Sequence, residues 1–234
     1  NSIDMMLAVN GIPVVAIELK NQLTGQSVDD AMRQWEYNRN PKEYAFGFNK
    51  RVLAYFACDL YNVYMTTQLN GAETVFLPFN QGSNGAGKDG GAGTPTTEDG
   101  KYVTSYFWEN VLQKDKLLDI LQKFISYERS EKKKIMPDGS TKTTVSSKVI
   151  FPRYHQLDVV RKLVSHVREN GAGHNYLIQH SAGSGKSNSI AWTAYRMASL
   201  HDENNNPIFD SVIIVTDRRV LDQQLQATVS GFDH

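Results

Sequence analysis

The sequence predicts an α/β protein in two units, and three observations carry that reading. Short β-rich runs around Asn10-Gly11 lead into a helical stretch in the first half. A second strand-to-helix alternation surrounds the glycine-rich turn at residues 181–187. Between them lie stretches too polar or too rich in glycine to build a core, 81–97 and 131–145. The divisions predicted are residues 1–128, a linker or polar hairpin over 129–147, and 148–234.

With 234 residues and 40% apolar content, the chain can bury one or two cores. Lys plus Arg and Asp plus Glu number 25 each, so no global field draws a polyanion, and local patches must do that work. The lone Cys58, in L-A-Y-F-A-C-D-L, is expected to be a buried thiol in a reducing cytoplasm. The sequence has no eighteen-residue apolar run and no signal peptide, which argues against membrane insertion and secretion. An opening at Asn1, without methionine and almost directly into a strand, reads as an internal start.

Ser2–Val9 and Ile12–Leu19 are read as strands joined at Asn10-Gly11, a strong hairpin signal. The second ends in Glu18-Leu19-Lys20, which puts Glu18 and Lys20 on one face and Leu19 on the other. Asp4 lies on the preceding strand. Two carboxylates and a lysine suit metal-dependent phosphodiester hydrolysis: the acids hold a hard cation, and the lysine steadies the attacking water or the phosphorane charge. An ordinary half-exposed strand flank is the structural alternative. Register decides whether the acids meet, because a two-residue turn would set Asp4 opposite Ile17 on the wrong face. A three-residue loop, Asn10-Gly11-Ile12 with a bulge, sets Asp4 opposite Glu18. Pro13, unable to donate to a ladder, favours that odd loop. The Leu19 carbonyl is then a candidate third ligand.

Val28–Asn38 reads as a helix, with Asp29 and Asp30 in its first turns, Ala31, Gln34 and Trp35 inside, and Pro41 beyond its end. Gln34 and Tyr37 share a side; packing of an amphipathic helix on the sheet is the alternative. Tyr44–Asn49, Val52–Asp59, Asn62–Thr67 and Thr74–Pro78 read as further strands. Gln81–Thr97 is either a flexible linker or a loop that carries Lys88 across to the second domain. Tyr106–Phe124 has helical apolar spacing, as one helix or as two broken near Lys114-Asp115. Its aromatic residues are expected in the core. Glu131–Val145 is a polar hairpin or linker whose lysine run reads as a solvated face.

In the second domain, Leu157, Val160, Val164 and Val167 make a helical stripe. Tyr176–Ser187, Y-L-I-Q-H-S-A-G-S-G-K-S, then runs from an apolar strand through a turn at Gly183 and Gly185 into a helix opened by Lys186 and Ser187. Such an order cradles phosphate, because the glycines bend the backbone and the helix N-terminus adds partial positive charge. Lys186 would reach the β/γ-phosphates and Ser187 a Mg²⁺ ion. His180 stands where the longer pattern has a glycine, which leaves the shorter G-x-G-K-S form. Asn188–Leu200 continues as the helix. Ser211–Thr216 is predicted to be a strand buried on both sides.

Asp4, Glu18-Leu19-Lys20 and the Gln34/Tyr37 helix together resemble the PD-(D/E)xK nuclease core as carried by the restriction (R) subunit of type I restriction enzymes, followed by a superfamily 2 DNA motor. The helix departs from the family's Q-x-x-x-Y, having Q-W-E-Y. The resemblance implies a mixed nuclease sheet with flanking helices, followed by the start of a RecA-like domain. It implies catalytic roles for Asp4, Glu18, Lys20, Gln34 and Tyr37, with metal held by Asp4, Glu18, the Leu19 carbonyl and Ser187. ATP would be held by Gly183, Ser184, Gly185, Lys186 and Ser187. Arg153 and Gln156 resemble the motors' adenine-reading R-x-x-Q element, and Arg218 the arginine of the motif that touches DNA backbone, with a helix cap at Asp217 as the alternative. The implied cofactors are ATP and Mg²⁺; the implied partners are double-stranded DNA and the methyltransferase (M) and specificity (S) subunits. The sequence shows no acid box, arginine finger or second motor lobe, so weak ATP binding without efficient hydrolysis is expected of this stretch alone. A repair helicase–nuclease and a DNA-gripping protein with an inert nuclease site are the competing readings.

Overall fold

The computed structural model describes residues 2–82, 94, 100–135, 140–216 and 226, in two units, Asn1–Phe151 and Pro152–His234. In the first, a five-stranded sheet is ordered β1 (Met5–Val9), β2 (Ile12–Leu19), β3 (Ala54–Cys58), β4 (Val63–Thr66) and β5 (Leu77–Pro78). β2 and β3 are parallel and every other pair is antiparallel, so the sheet is mixed. A parallel pair needs a crossover, and α1 (Val28–Tyr37) supplies it. Ser27 and Asp30 form its capping box, and Asp59, just past β3, accepts the Val28 N–H at 2.9 Å.

β2 and β3 are buried on both faces. On one face Ala16, Tyr55 and Ala57 pack under Ala31 and Trp35 of α1, with Trp35 edge-on to Tyr55 at 5.2 Å and to Phe46 at 6.1 Å. On the other, Phe56 meets Phe79, Phe107 and Phe151 at 4.8–5.7 Å. Cys58 is buried as expected, and burial pushes its thiol up to about 12, with the Asp59 charge adding to the effect.

In this unit one expected strand differs, and two other stretches take one of the forms expected of them. Tyr44–Asn49 is a series of turns, with the Gly47 N–H bonded to the Glu43 carbonyl at 2.8 Å, and Phe46 serves the core as a single inserted ring. The stretch 106–124 divides into a π-turn at Phe107–Val111 and α2 (Lys114–Lys123), which is capped by the Gln113 side chain. The polar stretch is a hairpin of two ten-residue strands, β6 (Ser126–Ile135) and β7 (Thr141–Ile150).

In the second unit, α3 (Tyr154–Asn170) and α4 (Lys186–Ala198) bury Leu157, Val160, Leu163, Ala191 and Trp192. The two strands expected here are not formed. Residues 176–180 and 211–216 carry no assigned strand, and Leu177, Ile213 and Val215 are 95%, 83% and 87% exposed. A buried parallel strand needs ladder neighbours and covered faces, and among the described residues neither segment has a ladder.

Candidate active site and phosphate loop

The first site is built by the β1–β2 hairpin. Asn10 and Gly11 both take positive φ, 52° and 80°, as a two-residue loop of this hand requires, and Val9 pairs with Ile12. The expected three-residue loop is thus corrected to two residues. The ladder then shifts, from Ala8↔Pro13 to Leu7↔Val15, leaving Val14 as a bulge beside the proline. From there Met5 faces Ile17, and the next step of this register sets Asp4 against Glu18. The register expected at the site is therefore reached through a bulge instead of an odd loop.

Asp4 Oδ2 accepts the Leu19 N–H at 2.8 Å, which fixes its carboxylate at the end of β2. Glu18 is 0% exposed. Its Oε2 accepts from Gln34 Nε2 at 2.8 Å, and Gln34 Oε1 accepts from Lys20 Nζ at 2.6 Å. Gln34 thus bridges the acid and the lysine. Tyr37 stays apart: it lies two residues past buried Trp35, on the outer side of α1, and is 69% exposed.

Arg39, which the sequence reading passed over, completes the cluster. Its Nε donates to Glu18 Oε1 at 2.9 Å, its Nη2 donates to that oxygen and to the Ser2 carbonyl, and its guanidinium lies 6.0 Å from the Trp35 ring. Arg39 lies past the Asn38 cap of α1, so helical spacing gave no signal for it, and its inward turn comes from packing against Trp35 and pairing with Glu18. Burial holds the Glu18 carboxyl above its ordinary value; Arg39 opposes this, and neighbouring Asp4 adds to it. Asp4, Glu18 and the Leu19 carbonyl are the groups that could hold a hard cation here.

In the second unit Gly183 and Gly185 are left-handed, at φ 72° and 82°, and Gly185 caps α4. Lys186 Nζ donates to the Ser181 and His180 carbonyls at 2.9 and 3.3 Å, so its ammonium lies along the loop. Ser184 is buried and Ser187 half-buried. Arg153 and Gln156 sit beneath this loop, with Arg153 as the N-cap of α3. Gln156 Oε1 accepts the Arg153 N–H at 2.8 Å, and its Nε2 donates to the Gly185 carbonyl at 2.9 Å. His155 Nε2–H donates to the Ser184 carbonyl at 2.9 Å; burial first, then the nearby Arg153 and His180, lower its pKa, while this hydrogen bond opposes them. A Cβ on Gly185 would come within 2.5 Å of Gln156 Nε2 and make that side chain shift, and the positive φ disfavours any other residue there. Lys88, Asp217 and Arg218 lie outside the described residues.

Among the described residues, no helix is long and apolar enough to cross a membrane. Residues 1–81 match the family model for the type I restriction enzyme R protein N terminus, and residues 155–234 match that for the SWI2/SNF2 ATPase. The chain is 25% identical to the type I restriction enzyme MjaVIIIP endonuclease subunit of Methanocaldococcus jannaschii, over 94% of this chain and 19% of that protein. It is 25% identical to the type I restriction enzyme HindI endonuclease subunit of Haemophilus influenzae, over 97% of this chain and 20% of that protein. The chain therefore spans about a fifth of the length of these relatives. No solved structure matches it. An R-protein segment is thus followed in order by an ATPase segment, and both relatives with which the chain aligns nearly end to end are endonuclease subunits of type I restriction enzymes.

Proposed function

We propose that the first unit is a PD-(D/E)xK nuclease that hydrolyses DNA phosphodiesters, and the second the start of a RecA-like, ATP-driven motor on double-stranded DNA. The observation that carries this reading is the meeting of Asp4, Glu18, Lys20 and Gln34 at the end of β2. Lone strand-flanking charges would have no reason to be threaded through one glutamine amide. The donor set fits Mg²⁺: two adjacent carboxylates, one with its pKa raised partly by the other, are the arrangement a hard cation relieves. Asp4, Glu18 and the Leu19 carbonyl would hold the ion, which when bound supplies charge neutralisation and a more acidic water. Gln34 orients Lys20, whose ammonium sits beside the acids and can take developing charge on the scissile phosphate. Arg39 opposes the effect of burial on Glu18 and favours its charged form. Tyr37 enters this scheme only if α1 rotates, so Gln34 is the helix residue assigned to the chemistry.

The phosphate loop fits ATP by its two left-handed glycines, a helix N-terminus and an ammonium laid along the loop. Lys186 would exchange its carbonyl partners for phosphate oxygens, and Ser187 would face the Mg²⁺ of the nucleotide. Arg153 and Gln156 are the proposed adenine-side residues; to serve there, Gln156 must release the Gly185 carbonyl. The relatives' names, as endonuclease subunits, support work within a larger complex; the proposed partners are methyltransferase and specificity subunits in the cytoplasm, with cutting after translocation, Arg218 as a proposed DNA contact and Lys88 as a proposed link between the activities.

The test uses the complete protein with its partner subunits on unmethylated duplex DNA. Cleavage should require both ATP and Mg²⁺. Asp4→Ala, Glu18→Ala and Lys20→Ala should each remove cleavage and leave ATP turnover near wild type. Full cleavage by any of the three would overturn the assignment, and cleavage without ATP or partner subunits would favour a repair-type helicase–nuclease.

A further inference from the structure

Resting on the nuclease reading, we infer that the β6–β7 ribbon is a second DNA-binding element that grips duplex backbone. Ten ladder pairs, Ser126↔Ile150 through Ile135↔Thr141, make it about 33 Å long at the usual rise per residue. A lone two-stranded ribbon is marginal in water. This one is anchored at its base, where Val149 and Phe151 are buried, Phe151 packs on Phe56 of β3, and Tyr127 lies 6.4 Å from Phe48. Phe56 pairs with Ile17, the residue before Glu18, so the base of the ribbon is tied to the strands that carry the candidate site.

Charge divides the ribbon in two. Near the root, Glu128 is matched by Lys148 at 2.8 Å and Glu131 by Arg129 at 3.3 Å. Farther out, strand residues 132–135 and 140–145 carry Lys132, Lys133, Lys134 and Lys142 and no carboxylate; one acid, Asp138, stands in the turn sequence. The ladder sets Lys134 directly against Lys142, and Lys132 against Thr144 two pairs closer to the root. Like charges directly opposite destabilise a ribbon that has no core of its own to spare. A polyanion removes that conflict. Thr141, Thr143, Thr144, Ser146 and Ser147 add hydroxyls of the kind that donate to phosphate oxygens. A two-stranded ribbon is also narrow enough for a major groove about 12 Å wide. The chain as a whole has no net charge, so this concentration is local and complements DNA.

The experiment measures binding of the complete protein to a non-specific duplex as a function of salt, comparing wild type with the triple variant Lys132→Gln, Lys134→Gln, Lys142→Gln and with the corresponding triple Lys→Arg variant. Each phosphate contact contributes roughly 0.9 to the slope of log affinity against log salt. The glutamine variant should lose about 2 to 3 from that slope for every duplex sequence tried. The arginine variant should keep it. Thermal unfolding should be unchanged, since the ladder sets these positions away from the ribbon's buried base at Val149 and Phe151. An unchanged slope in the glutamine variant would overturn the inference, as would loss of subunit assembly with DNA binding intact, which would make the ribbon a protein-docking arm. A wild-type complex that cuts DNA while the slope stays fixed rejects the ribbon alone; one that neither binds nor cuts DNA rejects the nuclease reading beneath it.

Discussion

A carboxylate without exposed surface needs a counter-charge, and Glu18 finds it in Arg39. Removing one partner of a buried pair leaves the other stranded, at a cost of about 3–5 kcal/mol. Arg39→Ala should therefore destabilise the first unit by that order near neutrality. The pH dependence follows from sign. Burial already raises the Glu18 carboxyl above 4.5, and Arg39 is the main opposing influence, so its loss raises the folded value further. A folded acid that binds its proton before the unfolded one does loses stability as pH rises from the ordinary value through the raised one. The deficit of Arg39→Ala should thus be largest at pH 7.5 and shrink toward pH 4.5, where neutral Glu18 needs no partner. Urea unfolding at both pH values checks this; an equal deficit at both would mean Arg39 acts by packing alone. The acids and the lysine were legible because strand alternation placed Glu18 and Lys20 on one face. Arg39 was not, because past a helix end a cation ordinarily reads as solvated, and only packing against Trp35 turns it inward.

At the scale of elements, the hairpin converts a turn that puts Asp4 on the wrong face into a register that puts it on the right one, through Val14. Deleting Val14 should remove the bulge and keep every pair from Leu7↔Val15 to Met5↔Ile17, so that Asp4 stays against Glu18. β1 is an exposed edge strand, so the sheet should survive. Metal-free thermal unfolding should then shift by less than about 8 °C, the equivalent of roughly 1 kcal/mol in a small domain. Stabilisation by added Mg²⁺, which follows from binding to the folded state alone, should persist, because the Asp4/Glu18 pair is kept. Loss of Mg²⁺ stabilisation with the fold intact would mean that the cation depends on the bulge itself and not on the Asp4/Glu18 pair. Asn10-Gly11 made the hairpin legible, but not whether Pro13 marked a longer loop or a neighbouring bulge, since both accommodate a missing N–H. Local pattern likewise overcalled Tyr44–Asn49, whose aromatic serves the core from a turn, and the segments 176–180 and 211–216, whose apolar runs meet strand criteria while no ladder neighbour is described.

For the molecule as a whole, the charge total concealed what its distribution shows, because 25 cations and 25 anions cancel while the outer ribbon does not. The division into two units with separate candidate chemistries sets the last prediction. Lys186 is exposed, and its ammonium reaches only loop carbonyls, so Lys186→Ala should change folding stability by no more than about 0.5 kcal/mol. Its effect on phosphates should be large by comparison, since the charge that meets the β/γ-oxygens is lost. In the complete protein, ATP turnover and translocation should both stop. If cutting follows translocation, cleavage stops with them, although Asp4, Glu18, Lys20 and Gln34 are untouched. The reciprocal variant, Asp4→Ala, should stop cleavage alone. Single-turnover cleavage and ATP hydrolysis, measured on the same preparations, read this asymmetry directly. Cleavage at wild-type rate by Lys186→Ala would mean that the nuclease runs without its motor, and loss of ATP turnover in Asp4→Ala would mean that the two sites are coupled in both directions.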